Sequence, residues 1–556
     1  MTDRCTTTTA SRMGPVLGHE PETIREVLDA QADGLGDMTY FSCDALEVSY
    51  GGMRERSLRV AGGLHALGLR QGDRVALLSE NSVPFAETFF ACAALGLILV
   101  PLNVFLRGEF LRYQLDDSGC AAAIVDQAGL EAIQDLDHRP SDLQHIIVTG
   151  DADDETVVPY QRLAGADPCR TLPTLGSSDV AAIIYTSGTT GMPKGCVIPH
   201  GAFTRIHPAH QDAGYIIPGD RVITPAPMFH MGFLAAMLTT ALRSGASVHV
   251  MRQFSASTFM QTARDIEATV MYAVGTVGLL LLAQPPSPAD HDPGRLRVAL
   301  LPPMPPDRQL EFEERFGVPV VAESYGQTEC VVISCAPVDA ARCRGSAGPP
   351  AATVDLAIVD DRDRPLPPGE VGEIVIRPRK SDSMFLGYWR DPAKTLETWR
   401  NLWHHTGDLG RLTTDGNLWI VDRKKDSIRR RGENVSSIEL EAALARHPAV
   451  RQVAVHAVPS ELGDDEIKAC IVVTPDAERL EPAALFEFCK RTLPYFAVPR
   501  YVELMAELPV NAVGRVRKQA LRDRGVTGAT WDFEALGLTV GRAERRGAPA
   551  ASTAPE

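Results

Sequence analysis

A chain of 556 residues with 44% hydrophobic side chains can bury a large core, and its length calls for at least two domains. Its 71 acidic and 55 basic residues leave a net charge of −16, which argues against nucleic acid or an anionic membrane as the main partner. The 11 cysteines are scattered without a C-x-x-C pair, which excludes a zinc or disulfide framework and points to free thiols in a reducing cytosol.

Met1 to Met13 hold no apolar run of the secretory type, and residues 1–20 are expected to be disordered. Glu22 to Gln31 has helical spacing, and Ser57 to Leu69 reads as a second amphipathic helix ending near Gly68. Gly72 to Ser79 is a turn into a buried strand. The most membrane-like run, Phe89 to Phe105, is broken by Gly96, Pro101 and Asn103, so a buried helix and strand are expected and no membrane span. Helical and strand patterns alternate to about residue 300 without a fixed repeat. That alternation predicts an α/β fold with parallel, covered sheets.

Val180 to Ile184 is a short buried-strand pattern, and Tyr185-Thr-Ser-Gly-Thr-Thr-Gly-Met-Pro-Lys-Gly195 follows it. Glycines let backbone approach a ligand, hydroxyls and successive N–H groups make an anion-binding concavity, and Lys194 adds a mobile charge. The set suits a polyphosphate. It is not the G-x-x-x-x-G-K-[ST] loop, because Pro193 stands five residues after Gly188 and Gly195 follows Lys194. A flexible Ser/Thr/Gly linker is the bland alternative, weakened by the apolar strand before it.

This segment resembles the phosphate loop of the AMP-forming adenylating enzymes, which include acyl-CoA synthetases, adenylation domains and luciferases. The resemblance assigns nucleotide contacts to Thr186, Ser187, Gly188, Thr189, Thr190 and Gly191, and a catalytic role to Lys194. Further along, Pro227-Met-Phe-His230 is similar to a Pro-x-x-His segment of the family, so His230 and Phe233 are expected beside the substrate. A lone His in such a setting is otherwise an ordinary core residue, and His200, His207 and His210 are taken to be ordinary surface or core residues. Leu301-Pro-Pro-Met-Pro-Pro306 departs from the family, which has a Gly-rich turn there; fixed φ and missing N–H groups alter the expected carboxylate pocket.

Glu323-Ser-Tyr-Gly-Gln-Thr-Glu329 resembles the family's Tyr-Gly-x-Thr-Glu segment. An aromatic face can stack on adenine and a carboxylate can hold Mg²⁺ between phosphate oxygens. The resemblance gives these roles to Tyr325 and Glu329, with Gly326 and Thr328 at the nucleotide. Thr353 to Arg377 reads as strands about a Pro365–Gly369 turn, a small β subdomain. By resemblance Asp408 accepts the ribose hydroxyls, Arg423 contacts the ribose, Lys425 is the hinge and Gly432 leaves room for a pantetheine arm. Ile438 to Arg446 reads as a helix and Gln452 to Val458 as a strand.

Near the end, Leu508-Pro-Val-Asn-Ala-Val-Gly-Arg-Val-Arg-Lys518 resembles the C-terminal catalytic loop, but Arg515 stands where the family places Lys; Lys518 follows three residues later. Arg515 is expected to carry the catalytic role, with Lys518 as the alternative if the loop shifts by one turn. From about Val526 the Ala/Gly/Arg-rich chain is expected to be a disordered tail.

The resemblance runs from about residue 20 to 525 and is greatest, over Asp422 to Leu440, to the carnitine/crotonobetaine-type acyl-CoA ligases. It implies a large N-terminal domain (21–422) of parallel-rich sheets covered by helices with a β subdomain, a small mobile α+β lid (423–526) and a tail (527–556). It also implies ATP-dependent adenylation of a small carboxylic acid with Mg²⁺, followed by transfer to CoA or a carrier protein, with homo-oligomer formation left open. Two readings from other classes stand beside it: an ATP-dependent diazotase using nitrite and an aryl amine, and a non-catalytic adenylate-binding protein.

Overall fold

The computed structural model describes residues 21–150, 156–186, 192–423, 428–430, 433–435, 437–459, 465–475, 480–493, 497–510 and 515–540. The expectation of disorder over 1–20 lies outside them. The chain divides into two compact units. One holds the described residues up to Ala357 with Val375–His404 and Leu412–Trp419; the other holds Ile358–Ile374, His405–Arg411 and the chain from Ile420 onward.

Two large sheets build the first unit. The eight-stranded sheet runs in the order Gly387–Tyr388, Lys194–Pro199, Val180–Thr186, Ile98–Pro101, Arg74–Leu78, Ala122–Val125, His145–Val148, Val158–Pro159. Its strands are parallel from Val180–Thr186 outward, and the two at the other edge run antiparallel. The seven-stranded sheet orders Val320–Val321, Val298–Leu300, Val270–Tyr272, Arg221–Thr224, Ser247–Val250, Thr39–Cys43 and Leu46–Ser49. Its central strands are apolar and buried on both sides, as covered parallel strands must be.

Local signals explain most boundaries. Thr23 caps the helix Ile24–Leu35 by accepting from Glu26 N. The helix Val83–Leu95 ends at Gly96, whose φ of +66° is the left-handed cap that glycine takes without strain, and the strand Ile98–Pro101 follows. The helix expected from Ser57 begins earlier, at Tyr50. Gly51 and Gly52 hide its start by their poor helix propensity, whereas the Ser49 side chain caps it from Gly52 N.

A five-stranded sheet orders Val354–Val359, Gly372–Pro378, Trp403–Leu412 and Trp399–Arg400, with Leu418–Arg423 paired to Trp403–Leu412. The second unit contains a four-stranded sheet: Val450–Pro459, Asp465–Val473, Tyr501–Leu504 and Thr530–Asp532. The last strand corrects the expected tail. Residues 527–540 are built into the fold, with Phe533 only 1% exposed and packed edge-on against Phe486. Two aromatics two residues apart, Trp531 and Phe533, outweigh the polar composition around them. Among the described residues no helix is long and apolar enough to cross a membrane.

Candidate active site

The strand Val180–Thr186 delivers its chain to the sheet edge, and Lys194–Pro199 returns antiparallel to it, with Thr186 opposite Lys194 and Ile184 opposite Cys196. Ser187, Gly188, Thr189, Thr190 and Gly191 lie outside the described residues. Gly387–Tyr388 then pairs with the returning strand, placing Tyr388 opposite Cys196. Side chains alternate along a strand, so Lys194 shares a face with Cys196 and becomes a diagonal neighbour of Tyr388. The Lys194 ammonium accordingly lies 5.3 Å from the centre of the Tyr388 ring. Gly195 permits this closeness: a Cβ there would stand 2.6 Å from Ile183 Cγ2 and 3.2 Å from Trp389 Cβ. The preceding helix Gly108–Ser118 braces the edge, Asp117 accepting from the Tyr185 hydroxyl at 2.6 Å and from Trp389 Nε1 at 2.9 Å.

Glu329 reaches the same place from the other direction. Ser324–Tyr325 pairs with Ser334–Cys335, and the intervening chain turns so tightly that a Cβ on Gly326 would stand 1.9 Å from the Val331 carbonyl oxygen. Tyr325, Gly326, Thr328 and Glu329 therefore share one turn. The Glu329 carbonyl accepts from Phe385 N at 2.9 Å, and its Oε1 accepts from the Tyr388 hydroxyl at 2.8 Å. Tyr388 thus touches both the lysine and the carboxylate singled out from the sequence. The sequence reading missed it, because its place beside Lys194 comes from long-range strand pairing.

Electrostatics suit the arrangement. Burial, with Glu329 beside it, pushes the Tyr388 hydroxyl far above its ordinary pKa, so it stays a donor. Lys194 is held below the usual lysine range by burial and by Lys394, with Glu397, Asp391 and Glu329 opposing. Burial and Glu329 also raise the Cys196 thiol, which leaves it unfit as a nucleophile.

His230 is exposed, 4.4 Å from the Phe229 ring, and stands just before a π-helical segment, Gly232–Thr239. That geometry is rare and is often found at functional sites. The Tyr40 hydroxyl donates to the Leu238 carbonyl in this segment at 3.0 Å, and Thr239 Oγ1 to that of Ala235 at 2.9 Å. Phe233 is 1% exposed. The π turn buries it, while His230 faces outward. The proline-rich turn is also built in, because Leu301 and Met304 are buried and Gly275 lies so close that a Cβ would meet the Pro303 carbonyl oxygen at 1.8 Å.

The remaining expected residues belong to the second unit. Asp408 is buried in the strand Trp403–Leu412, its amide donating to Thr406 Oγ1 at 3.1 Å. Arg423 ends the strand Leu418–Arg423; its side chain, and all of Lys425 and Gly432, lie outside the described residues. Arg515 is exposed. Lys518 is not: its Nζ donates to Ser437 Oγ at 2.6 Å and meets Glu441 Oε1 at 2.8 Å, with the side chain 15% exposed.

A half-buried carboxylate beside a lysine fits Mg²⁺, a hard cation that is commonly held by one or two carboxylates together with water and substrate phosphates. Among the described residues no group of three or more His, Cys, Asp or Glu side chains is placed to hold a metal ion on its own.

Covered parallel sheets, Lys194 on the strand that returns antiparallel to Val180–Thr186, and a carboxylate brought to it define a nucleotide-dependent enzyme of the α/β class. Residues 28–389 match the family model of the AMP-binding enzymes, and 439–515 that of the AMP-binding enzyme C-terminal domain; the chain belongs to this family. It is 33% identical over 519 residues to the crotonobetaine/carnitine–CoA ligase of Salmonella typhimurium, covering 90% of this chain and 99% of that one. Its fold is similar to that of the anthranilate CoA ligase AuaEII in complex with anthranoyl-AMP, with a TM-score of 0.81, 26% identity and coverage of 91% of this chain and 98% of that chain. The AMP complex of the Bacillus subtilis o-succinylbenzoate coenzyme A synthetase gives 0.77 and 26%, covering 91% of this chain and 99% of that chain.

Proposed function

We propose that this AMP-forming ligase joins a small carboxylic acid, short or aromatic, to CoA through an acyl-adenylate, using ATP and Mg²⁺. The observation that carries the reading is the cluster at the sheet edge, where Tyr388 links Lys194 and Glu329 beside the hairpin. The likeness to CoA ligases over 90% of the chain supports the same reading.

In the first step an oxygen of the acid attacks the α-phosphorus of ATP, and the bond to pyrophosphate breaks. Both reactants are anionic, so the protein's task is to gather and neutralise charge. Lys194 supplies a cation whose partial burial strengthens it for phosphate oxygens. Glu329 would hold Mg²⁺, which supplies charge neutralisation at the phosphates when bound. Tyr388 fixes the Glu329 carboxylate through its hydroxyl. Tyr325 provides a face for adenine, Asp408 a carboxylate for the ribose, and Arg515 a permanent cation that contacts phosphate at two points. His230 borders the acid. In the second step the CoA thiolate attacks the acyl carbon and AMP leaves.

Purified protein with ATP, Mg²⁺ and a panel of short and aromatic acids, followed by mass detection of AMP, tests the reading. AMP together with an acyl-CoA is expected when CoA is added. AMP formed only when nitrite and an aminoaryl acid are supplied would overturn the acyl assignment in favour of diazotisation. ATP binding without AMP from any pair would overturn catalysis.

A further inference from the structure

We propose that Lys518 is a positioning residue: it moors the backbone that carries Arg515 to the strand end at Asp422 and so sets where Arg515 is delivered. This rests on the reading of Arg515 given above.

Four side chains of the second unit form one chain of contacts. Asp422, 1% exposed, accepts from Ser437 N at 2.6 Å and from Ser437 Oγ at 3.1 Å. The Ser437 hydroxyl has a single proton and gives it to Asp422, so its lone pair is directed to the Lys518 ammonium 2.6 Å away. Lys518 also meets Glu441 Oε1 at 2.8 Å, and that oxygen accepts from Val455 N at 2.7 Å. Asp422 immediately precedes Arg423, at the end of the strand Leu418–Arg423. The contacts therefore run from the boundary strand, through the first residue of the helix Ser437–Leu444, to the first residue of the helix Lys518–Arg524.

On the other side of Arg515 the backbone is closed at its base. Val510 and Val516 form an antiparallel bridge, and Arg517 N donates to the Pro509 carbonyl at 2.7 Å. Val516 packs on a small core that includes Leu508, Cys470 and Leu521. Arg515 is thus flanked by a pinched backbone and, three residues on, by a charged anchor. The alternative in which Lys518 itself reaches the phosphates would break both of its contacts and strip Glu441, whose carboxyl burial already disfavours as an anion and Lys518 restores. Mooring through a distant side chain is enough to matter, since a displacement of about 1 Å can cost about 100-fold in rate.

The test is a double-mutant comparison on the full chain, reading acid-dependent AMP formation at varied ATP. Lys518→Met should lower kcat by about 10- to 100-fold with the KM for ATP within about twofold, and Ser437→Ala should shift it the same way by less. Arg515→Ala should lose more. The Arg515→Ala/Lys518→Met pair should be no slower than Arg515→Ala alone, because Lys518 acts through Arg515. A folded Lys518→Met protein with unchanged kcat, or losses that multiply in the pair, would overturn the mooring role. If Lys518→Met does not fold, Ser437→Ala carries both comparisons, since it leaves the Asp422 contact to the Ser437 amide in place. Full activity in Arg515→Ala with none in Lys518→Met would instead sink the assignment of Arg515 itself.

Discussion

Replacing Gly326 by alanine places a test inside the turn that carries Tyr325 and Glu329 without touching any side chain that carries charge. The added Cβ would stand 1.9 Å from the Val331 carbonyl oxygen and 2.9 Å from its carbon. Contacts of this kind are essentially absent below 3.0 Å, and both partners here are backbone, so the turn must open by more than 1 Å. Overpacking of this kind costs about 1–3 kcal/mol of stability. The catalytic effect should be larger, because Tyr325 and Glu329 lie on either side of the residue that moves. A displacement of that size predicts a fall of about 100-fold in AMP formation at saturating acid, with a raised KM for ATP. Gly528→Ala is the control, since nothing lies within 4 Å of its Cβ. Rates and melting temperatures of the two variants, measured side by side, decide the matter. A Gly326→Ala enzyme that melts and turns over like the Gly528→Ala control would refute the tight-turn geometry.

Three further expectations follow from the same geometry. Tyr388→Phe removes the donor to Glu329 and should weaken Mg²⁺ affinity by about 10- to 100-fold with little change in melting temperature; an unaltered Mg²⁺ titration would count against its role. His200, His207 and His210 are kept neutral by burial, with pKa values lowered to about 4, 3 and 4 from 6.5. The unfolded chain binds more protons below pH 6.5, so their contribution is complete above that pH and is lost as pH falls toward 4, with a slope of at most about 4 kcal/mol per pH unit. Urea unfolding of His210→Gln between pH 7 and 4.5 should show a slope smaller by up to about 1.4 kcal/mol per pH unit, and an identical slope would rule out neutral burial. Lys468, 0% exposed and 2.5 Å from Glu503, should cost up to about 3–5 kcal/mol when changed to Met, and the added change Arg524→Met, which strips Glu503 of its remaining cation at 2.7 Å, should deepen the loss in urea titrations.

Much of this was readable from residue order. The strand Val180–Thr186, the Gly96 break and the strands around Pro365–Gly369 depend on local chemistry, which periodicity and turn residues report directly. Tyr388 was not readable in the same way. It meets Lys194 because a two-residue strand pairs with another almost 200 positions earlier, and no local pattern encodes such a register. The burial of Phe233 escaped for a related reason, since a π-helical segment shifts faces relative to the 3.6-residue period. The contacts of Lys518 were not readable either, because they come from Ser437 and Glu441, residues whose helix signal said nothing of their partner.

The antiparallel hairpin at the edge of an otherwise parallel sheet also limits how this site can change in length. Thr186 faces Lys194 and Cys196 faces Tyr388 in fixed register on both sides of the returning strand. One residue inserted within that strand would turn Lys194 to the opposite face relative to Tyr388, and a deletion would do the same. An added residue before Lys194 could bulge out and leave the register whole, at the expense of the loop's shape. Indels in this stretch are therefore graded by position: ruinous after Lys194, negotiable before it. New specificities on this scaffold should arise by substitution in the strand and by length change only ahead of it.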